Sequence, residues 1–415
     1  MSCWGVRPRQ ACCGPRGGGG VRVVVAFLTT VMMVGAWTSA WADWRAELAT
    51  IAGPSGVVHA MDEEGESLVS VGGDEAFRPA SMLKIVTALL AERYLGLDTR
   101  FRTEFFVHGD RLIVRGRGDP FLVSEELDRI AQALLPLLKG RSLSGVFIDD
   151  SFFEPNITVP GVGSSEQPYD ALNSATAVNF NTVHVTVVGD QVRSAEAQTP
   201  LTPLAREVAL SRGVRGTERV SLSDDPEVVR RYASQLIAAK LRAHGIQVGT
   251  AFGSVKVASD LPLYVHESSK TVADVCSAML VYSNNYVANQ VFLAVGEVVH
   301  GAPASLEKSR SVARDFVAEN VGLKGMVMVE GSGISYENRA TSQALLEALR
   351  LFQPQRNLMR ERRGVRHKTG TLKITKSVAG YLDTQSHGTV RFVVALDGRG
   401  SEARWDIVRL LGEKL

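Results

Sequence analysis

The chain has 415 residues, of which 45% are hydrophobic and 22% are charged. This length allows two or three domains with a sizeable core, and the composition excludes a disordered or collagen-like polymer. The formal net charge of +2, from 46 basic and 44 acidic residues, provides no broad basic surface, so nucleic-acid binding is not expected.

The first 42 residues have the pattern of an export signal. Four arginines precede an uncharged stretch at residues 23–37, and Ala40 and Ala42 provide the small side chains that signal peptidase requires before a cut at Asp43. We expect residues 1–42 to be a signal peptide and the mature protein to be periplasmic. An uncleaved N-terminal membrane anchor is the alternative, although the apolar stretch is short for a membrane span. Cleavage would leave a net charge of −2 and only Cys276, which cannot form an internal disulfide.

Hydrophobic periodicity predicts an opening hairpin and then a buried helix. The hairpin strands cover residues 56–62 and 68–71, and apolar residues at helical spacing follow Pro79 over residues 81–94. Residues 99–262 change to short alternating segments separated by Gly, Pro and Asn, which predicts a strand-rich region. The later segments are predicted as helices at 272–281, 286–299 and 305–320, strands at 377–382 and 391–396, and a last helix at 402–413.

The order of these elements predicts an α/β fold in which both ends of the chain form one domain. A sheet flanked by helices would combine residues 43–98 with residues 263–415. The strand-rich region at residues 99–262 would then be a domain inserted into that fold.

One short motif brings together a hydroxyl and an amine. Ser81 and Lys84 stand three residues apart at the start of a predicted helix, so both side chains would lie on the same face. Ser81 would be a nucleophile and Lys84 its base, provided that burial and positive neighbours keep the amine neutral. Alone, Ser-x-x-Lys is a weak signal, because chance produces it in many chains of this length.

Two further motifs follow at long separations. Ser283-Asn-Asn285 lies between two predicted helices, and Lys368-Thr-Gly-Thr371 precedes a predicted strand. Together with the first motif they form the Ser-x-x-Lys, Ser-x-Asn and Lys-Thr-Gly triplet of the penicillin-interacting serine enzymes. The joint occurrence in this order, on a helix, a loop and a strand, is far more specific than any one motif.

The chain resembles the low-molecular-mass class C penicillin-binding proteins, which are the D-alanyl-D-alanine carboxypeptidases and endopeptidases of peptidase family S13. The resemblance covers about residues 60–400 and points to the branch with a large insertion between the first two motifs. It implies the fold of serine β-lactamases and penicillin-binding proteins, an antiparallel sheet flanked by helices, split here by the inserted domain. The stretches that carry it are Arg78-Pro-Ala-Ser-Met-Leu-Lys84, Gly116-Arg-Gly-Asp-Pro-Phe-Leu122, Asp149-Asp-Ser-Phe-Phe153, Ala177-Val-Asn-Phe-Asn181, Glu330-Gly-Ser-Gly-Ile-Ser335 and His367-Lys-Thr-Gly-Thr-Leu372.

The resemblance implies a role for each motif residue. Ser81 attacks the carbonyl between the last two D-alanines of a peptidoglycan stem peptide and forms an acyl-enzyme, while Lys84 accepts its proton. Ser283 relays a proton to the leaving amine, and Asn285 binds the substrate backbone. The substrate-binding segment comprises Lys368, Thr369, Gly370 and Thr371. Within it, Lys368, which stays charged, and Thr369 hold the terminal carboxylate, and the backbone N–H groups of Ser81 and Thr371 form the oxyanion hole. β-Lactams are expected to acylate Ser81 and so to inhibit the enzyme.

Two features depart from the pattern of this branch. The interval between Ser81 and Ser283 is short, so we expect the second of the two domains that this insertion usually holds to be reduced or missing. Glu330 stands where the branch has Asp, a change that keeps the charge. The eight histidines show no metal-ligand spacing, and we expect neither a metal nor a cofactor.

Three alternatives stay open from the sequence. A β-lactamase or esterase on the same scaffold would need a deacylating base, for which no Glu-x-x-x-Asn element is evident. A catalytically idle wall-binding protein is disfavoured by the intact motif residues. The second motif could also be shifted by one residue, with Tyr282 and Asn284 forming the Tyr-x-Asn of certain β-lactamases. We prefer Ser283 and Asn285, because the Tyr-Val-Ala-Asn that follows resembles the helix after Ser-x-Asn in this branch.

Overall fold

The computed structural model describes residues 44–163, 165, 167–258, 261–400 and 402–415. The predicted signal peptide and its cleavage site lie outside the described residues. Within those ranges, no helix combines the length and the apolar character needed to cross a membrane.

The described residues form fourteen β-strands and ten α-helices. In chain order, the strands are β1 (Val57–Met61), β2 (Ser67–Val71), β3 (Arg100–His108), β4 (Arg111–Gly116), β5 (Ser142–Asp149), β6 (Thr182–Val188), β7 (Gln191–Ser194), β8 (Gly216–Ser221), β9 (Gln247–Ser254), β10 (Tyr264–Thr271), β11 (Arg360–Arg362), β12 (Val365–Thr371), β13 (Thr375–Thr384) and β14 (Gly388–Asp397). The helices are α1 (residues 44–52), α2 (Lys84–Tyr94), α3 (Ser124–Leu137), α4 (Pro203–Ser211), α5 (Pro226–Ala243), α6 (Val272–Tyr282), α7 (Asn285–His300), α8 (Leu306–Glu319), α9 (Ser342–Phe352) and α10 (Ala403–Lys414). Short 3-10 turns occupy Ala80–Leu83, Pro168–Asp170, Asn179–Asn181, Val321–Leu323 and Gln353–Leu358.

A six-stranded antiparallel sheet joins the two ends of the chain. Its strand order is β11-β12-β13-β14-β1-β2, so the opening hairpin pairs with the last strand. Phe392 and Val394 of β14 pack with Leu48 of α1 and Leu411 of α10 on one face. Val393, which points the other way, belongs to the core that contains α9. The central strands are therefore covered by helices on both faces, as the sequence predicted.

Helix α2 lies in the middle of the helical layer behind this sheet. All of its residues from Lys84 to Ala91 are buried, because α6, α7 and α9 surround it. A helix that is enclosed on all sides holds its side chains in fixed positions. This rigidity matters because the helix carries one of the motif residues at its first position.

The inserted segment has its own core and contains more helix than the sequence analysis predicted. A five-stranded sheet of order β10-β3-β4-β5-β9 packs against α3 and α5, and a three-stranded sheet of order β7-β6-β8 packs against α4. Buried side chains of both sheets and all three helices form one hydrophobic cluster. The description "strand-rich" is thus incomplete, because α3, α4 and α5 supply much of the core.

The second boundary of the inserted segment also differs from the predicted one. Strand β10 pairs with β3, with Thr271 opposite Arg100, so residues 263–271 lie in the sheet of the insert and not with the C-terminal segment. Directly after β10, the Val272 amide donates to the Thr99 carbonyl at 2.9 Å. We infer that the inserted domain comprises residues 99–271 and that the other domain combines residues 44–98 with the segment from residue 272 onward.

Polar contacts tie the insert to α7. Gln290 donates to the carbonyls of Gly118 and Ser174 at 3.2 and 3.0 Å, and Asn173 donates to the Tyr286 carbonyl at 3.1 Å. All of these side chains are buried. The insert is therefore fixed to the helix that begins at Asn285, the last residue of the second motif.

Candidate active site

Ser81 lies in a 3-10 turn that leads directly into α2. The turn covers Ala80–Leu83, and Lys84 is the first residue of the α-helix. Because the two side chains are three residues apart on continuous helical backbone, they lie on one face, and Lys84 Nζ is 2.9 Å from Ser81 Oγ. Ser81 is partly exposed, whereas Lys84 is fully buried. A substrate can therefore reach the hydroxyl of Ser81, whereas water cannot reach the amine of Lys84.

Two glycines allow the neighbouring chain segments to approach the turn that carries Ser81. Ala80 has a φ of 50°, in the left-handed region that a side chain rarely adopts. A Cβ at Gly333 would lie 1.9 Å from the Ala80 carbonyl oxygen, and a Cβ at Gly370 would lie 2.8 Å from Ala80 Cβ. Both positions therefore require glycine, because any side chain there would displace the backbone next to Ser81.

The partners of Lys84 Nζ define how a neutral amine would be oriented. Besides Ser81 Oγ, the nitrogen contacts Asn285 Oδ1 at 2.7 Å and the Ser332 carbonyl oxygen at 2.7 Å. Both of these oxygens can only accept, so they take the two N–H groups that a neutral amine has. The lone pair is then left for Ser81, whose hydroxyl has a proton to give.

The environment of Lys84 favours this neutral form. Burial, followed by the positive charge of Lys368, holds the pKa of the Lys84 amine well below its ordinary value, and Glu330 opposes this only in part. This is the combination of burial and a positive neighbour that the sequence analysis required of a general base. The surroundings of Lys84 therefore favour the neutral amine, which is the form that can accept a proton from Ser81.

The three adjacent side chains of the second motif, Ser283, Asn284 and Asn285, each make a different contact. Ser283 ends α6 with a left-handed φ of 56°, and its Oγ accepts from Lys368 Nζ at 2.7 Å. Asn284 caps α7 by accepting from the Val287 amide at 3.0 Å. Asn285 turns inward to Lys84. Tyr282 is 80% exposed, so the geometry favours the Ser283 and Asn285 register over a Tyr-x-Asn motif.

Lys368 differs in one respect from what the sequence analysis expected. Burial, followed by the positive charge of Arg404, lowers the pKa of Lys368 to about 7, so the amine is not permanently charged at neutral pH. Its nitrogen donates to Ser283 Oγ and, at 2.8 Å, to the Thr369 carbonyl. Neither partner is an anion, so nothing there offsets the cost of burying the charge. A bound carboxylate would supply that anion.

The rest of the third motif lies along β12 at the edge of the site. Thr369 is partly exposed and Thr371 is exposed, while Gly370 packs against the turn that carries Ser81. Arg404 of α10 holds this strand by donating to the carbonyls of Gly370 and Ser377 at 2.9 and 3.1 Å. The three motifs, which are far apart in the sequence, therefore meet at one place.

Glu330 has a role that motif reasoning did not find. Its fully buried carboxylate accepts from the amides of Ser332 and Gly333, each at 2.7 Å, and from Asn338 Nδ2 at 2.6 Å. These bonds shape the loop that presents the Ser332 carbonyl to Lys84. The sequence analysis noted Glu330 only as a replacement for Asp, since a spacing pattern does not show which carbonyl a loop will present.

The chemistry available at this site comes from hydroxyl, amine and amide groups. Among the described residues, no group of three or more His, Cys, Asp or Glu side chains is placed to hold a metal ion. A serine hydroxyl beside a neutral amine, with a second serine–lysine pair close by, is suited to acyl transfer through a covalent intermediate.

Comparison with known proteins places the chain in a family. A sequence profile described as the D-Ala-D-Ala carboxypeptidase 3 (S13) family matches residues 48–361, a range that includes the first two motifs. A D-alanyl-D-alanine carboxypeptidase from Actinomadura sp. (strain R39) is 26% identical over an alignment of length 347 that covers 71% of this chain and 64% of that protein. The chain thus spans less than two thirds of the length of this relative.

Solved structures show the same fold at low sequence identity. Penicillin binding protein 4 from Haemophilus influenzae superposes with a TM-score of 0.69 at 18% identity, covering 86% of this chain and 93% of that chain. A predatory peptidoglycan endopeptidase from Bdellovibrio bacteriovorus gives a TM-score of 0.51 at 17% identity, covering 86% and 90% of the two chains. With its fold shared and three quarters of its length matched by the profile, the chain belongs to the D-Ala-D-Ala carboxypeptidase 3 (S13) family.

Proposed function

We propose that this protein is a serine D-Ala-D-Ala peptidase that cleaves peptidoglycan stem peptides through an acyl-enzyme on Ser81. The observation that carries the proposal is the contact between Lys84 Nζ and Ser81 Oγ at 2.9 Å, with the other two amine contacts occupied by acceptors. Membership of the S13 family supports the same activity. Carboxypeptidase action releases the terminal D-alanine, and endopeptidase action releases a crosslinked peptide.

Acylation begins with the transfer of the Ser81 proton to Lys84. The oxygen then bonds to the carbonyl carbon between the two D-amino acids, and the developing oxyanion accepts from the backbone N–H groups of Ser81 and Thr371. Each such donor contributes about 3 kcal/mol in other acyl-transfer enzymes. As the C–N bond breaks, Ser283 gives a proton to the leaving nitrogen and recovers one from Lys368.

Deacylation restores the starting protonation states. Water adds its hydroxyl to the acyl carbon, and its proton returns to Lys368. The ester bond to Ser81 breaks, and the serine oxygen recovers the proton that Lys84 held. The net reaction is hydrolysis of one peptide bond, and both amines end as they began.

The remaining motif residues position the substrate. Asn285 and the β12 backbone would align the peptide, and Lys368 with Thr369 would hold the carboxylate of the leaving residue. A carboxylate at this place provides the anion that Lys368 lacks in the free enzyme, so binding raises the pKa of that amine. A β-lactam offers the same carbonyl and carboxylate on a strained ring, and we expect it to acylate Ser81.

Labelling with a fluorescent penicillin tests the assignment of the nucleophile. The wild-type protein should form a covalent adduct, and Ser81→Ala should form none while its thermal unfolding temperature stays within a few degrees of wild type, since the change removes one partly exposed hydroxyl. Ser151→Ala, at an exposed serine of the inserted segment, is the matched control. Labelling of the Ser81 variant at the wild-type rate would show that another residue is acylated.

The lifetime of the adduct separates the proposed peptidase from a β-lactamase on the same scaffold. A peptidase should hold the penicilloyl group for hours, because the sequence shows no Glu-x-x-x-Asn element to supply the efficient deacylating base that a β-lactamase needs. A β-lactamase would release it within seconds. Mass analysis of purified muropeptides after incubation then identifies the bond that is cut, and an idle wall-binding protein would leave them unchanged.

We also propose that the mature protein is exported and lies in the periplasm. The arginine-rich start, the apolar stretch and the small residues before Asp43 support cleavage of residues 1–42. N-terminal sequencing of the exported protein should begin at Asp43. A chain that keeps its first residues in the membrane fraction would instead identify the segment as an anchor.

A further inference from the structure

A cavity of about 500 Å³ adjoins the Ser283–Lys368 pair. Its lining includes Ser283, Lys368 and Thr369 but not Ser81, Lys84 or Thr371. It therefore continues the site from the end where the leaving residue would sit, and not from the end where the acyl group would stay attached to the serine.

The cavity is strongly basic. Arg360 and Arg362 of β11 stand two residues apart, which places them on the same side of that strand, and Arg404 lines the cavity from α10. The one acidic lining residue, Glu361, forms an ion pair with Arg366 at 2.9 Å.

The two β11 arginines are available to a ligand. Both are exposed, and neither makes an ion pair with an acidic side chain in the described part of the chain. The Arg362 guanidinium lies 4.8 Å from the centre of the Trp405 ring, which also lines the cavity. This stacking orients the guanidinium and leaves its N–H groups free to donate.

If the proposed function is correct, the position of the cavity determines which part of the substrate can bind in it. Lys368 and Thr369 hold the carboxylate of the leaving residue, so anything else attached to that residue extends toward Arg360 and Arg362. A leaving D-alanine has only a methyl group to place there. A crosslinked stem peptide places a whole second peptide there, and that peptide bears free carboxylates.

We propose that Arg360 and Arg362 are specificity-determining residues that bind the carboxylates of an acidic leaving peptide, so that crosslinked stem peptides are cleaved in preference to terminal D-alanine. The inference deepens the proposed function and depends on it. The bond chemistry is unchanged: the serine–carbonyl bond forms, the C–N bond breaks, and the leaving nitrogen departs on the second peptide with the proton relayed by Ser283. The arginines act on binding of the leaving group only.

The test compares two substrates on one double variant, Arg360→Gln with Arg362→Gln. The substrates are a purified crosslinked muropeptide dimer and a monomeric muropeptide with a pentapeptide stem, and kcat/KM is measured for each. The ratio of the dimer value to the pentapeptide value should fall about tenfold, because each partly screened ion pair contributes a few-fold at most. Raising the salt concentration should reduce the same ratio for the wild type and have less effect on the variant.

Arg363→Gln is the matched control, since Arg363 belongs to the same hairpin but does not line the cavity. Its ratio should stay at the wild-type value. An unchanged ratio in the double variant, or an equal fall with both substrates, would overturn the inference. Failure of the proposed function would look different, because the wild type would then neither bind penicillin covalently nor cleave either substrate.

Discussion

Replacement of Lys84 by arginine keeps a long basic side chain but removes the ability to accept a proton. The guanidinium stays protonated at any working pH and has no lone pair to direct at Ser81. In the wild type, Asn285 Oδ1 and the Ser332 carbonyl oxygen each lie 2.7 Å from the amine and accept its two N–H groups. The nitrogen lone pair is then directed at the Ser81 hydroxyl. The variant would fill the same space with donors only.

The expected loss follows from the role assigned to the amine. General base catalysis contributes about 10²–10⁴ in rate, which corresponds to about 3–5 kcal/mol in the barrier to acylation. The substitution should lower the maximal acylation rate. It should have less effect on the penicillin concentration that gives half of that maximal rate, since Lys84 is fully buried and does not reach the carboxylate of the penicillin. At the upper end of this range, labelling would disappear within the time of the assay.

Stopped-flow measurement of acylation against penicillin concentration separates these two quantities. Lys240→Arg is the matched control, because Lys240 is also buried but pairs with Asp128 in the inserted segment. Circular dichroism and thermal unfolding check that both variants fold. A folded Lys84→Arg protein that acylates within about threefold of the wild-type maximal rate would refute the general-base role, since the smallest contribution expected of such a base is about 100-fold.

Three further predictions test other parts of the site and fold. Because the pKa of Lys368 is about 7, the apparent affinity for penicillin should fall as the pH rises from 6 to 8. The Lys368→Arg variant should bind penicillin more weakly, but its affinity should not change with pH over this range. A wild-type affinity that does not change with pH would contradict this prediction. The Gly333→Ala variant should lower the acylation rate by about tenfold or more, since the new Cβ would press on the Ala80 carbonyl oxygen. The control is Gly109→Ala, which should leave the acylation rate unchanged, because Gly109 has a similar φ and no neighbour within 4 Å. Burial raises the pKa of Asp119 to about 6, so the folded state holds its proton where the unfolded state has lost it, and stability falls as pH rises from about 4 to 6. Asp119→Asn should therefore gain up to about 2–3 kcal/mol relative to wild type between those limits in denaturant titrations, and a difference independent of pH would refute this origin.

Much of the chemistry of the site could be predicted from local sequence patterns. The spacing of Ser81 and Lys84 requires only helical backbone, and the sequence contained the apolar periodicity that forms it. The exposure of Tyr282 and the inward turn of Asn285 depend on the left-handed backbone at Ser283, which spacing alone cannot determine. Spacing alone therefore allowed two registers for the second motif, and the resemblance of Tyr286-Val-Ala-Asn289 to the family's helix favoured Ser283 and Asn285.

The inserted segment was harder to predict because its helices carry mixed signals. Helix α5 has a clear start, with Asp225 as the cap and Pro226 at the first position, and its buried residues follow helical spacing. The short alternating segments on either side of it favour strands, so the local signals conflict. Helix α3 contains Pro136 near its end, a residue that ordinarily indicates a break. The pairing of β10 with β3 is a long-range contact, and no local pattern records it.

The charge of Lys368 could not be predicted from its motif. The charge state depends on burial of the amine and on Arg404, a residue of the last helix that is 36 positions away in the sequence. Both are consequences of packing and not of spacing. A motif predicts which side chains lie close together, whereas the surrounding fold determines their protonation states.

The pairing of β3 with β10 also has a consequence for how the chain closes. A flexible loop that joined α2 to α6 through more than a hundred residues would add several kcal/mol of closure entropy to the folding of the domain around it. Here the Thr99 carbonyl accepts from the Val272 amide at 2.9 Å, so the two ends of the insert are already neighbours when the inserted sheet forms. The inserted domain, residues 99–271, therefore connects α2 and α6 as a tight turn would, because its two ends lie side by side. A domain attached in this way can be lengthened, shortened or exchanged during evolution while α2 and α6 keep their positions.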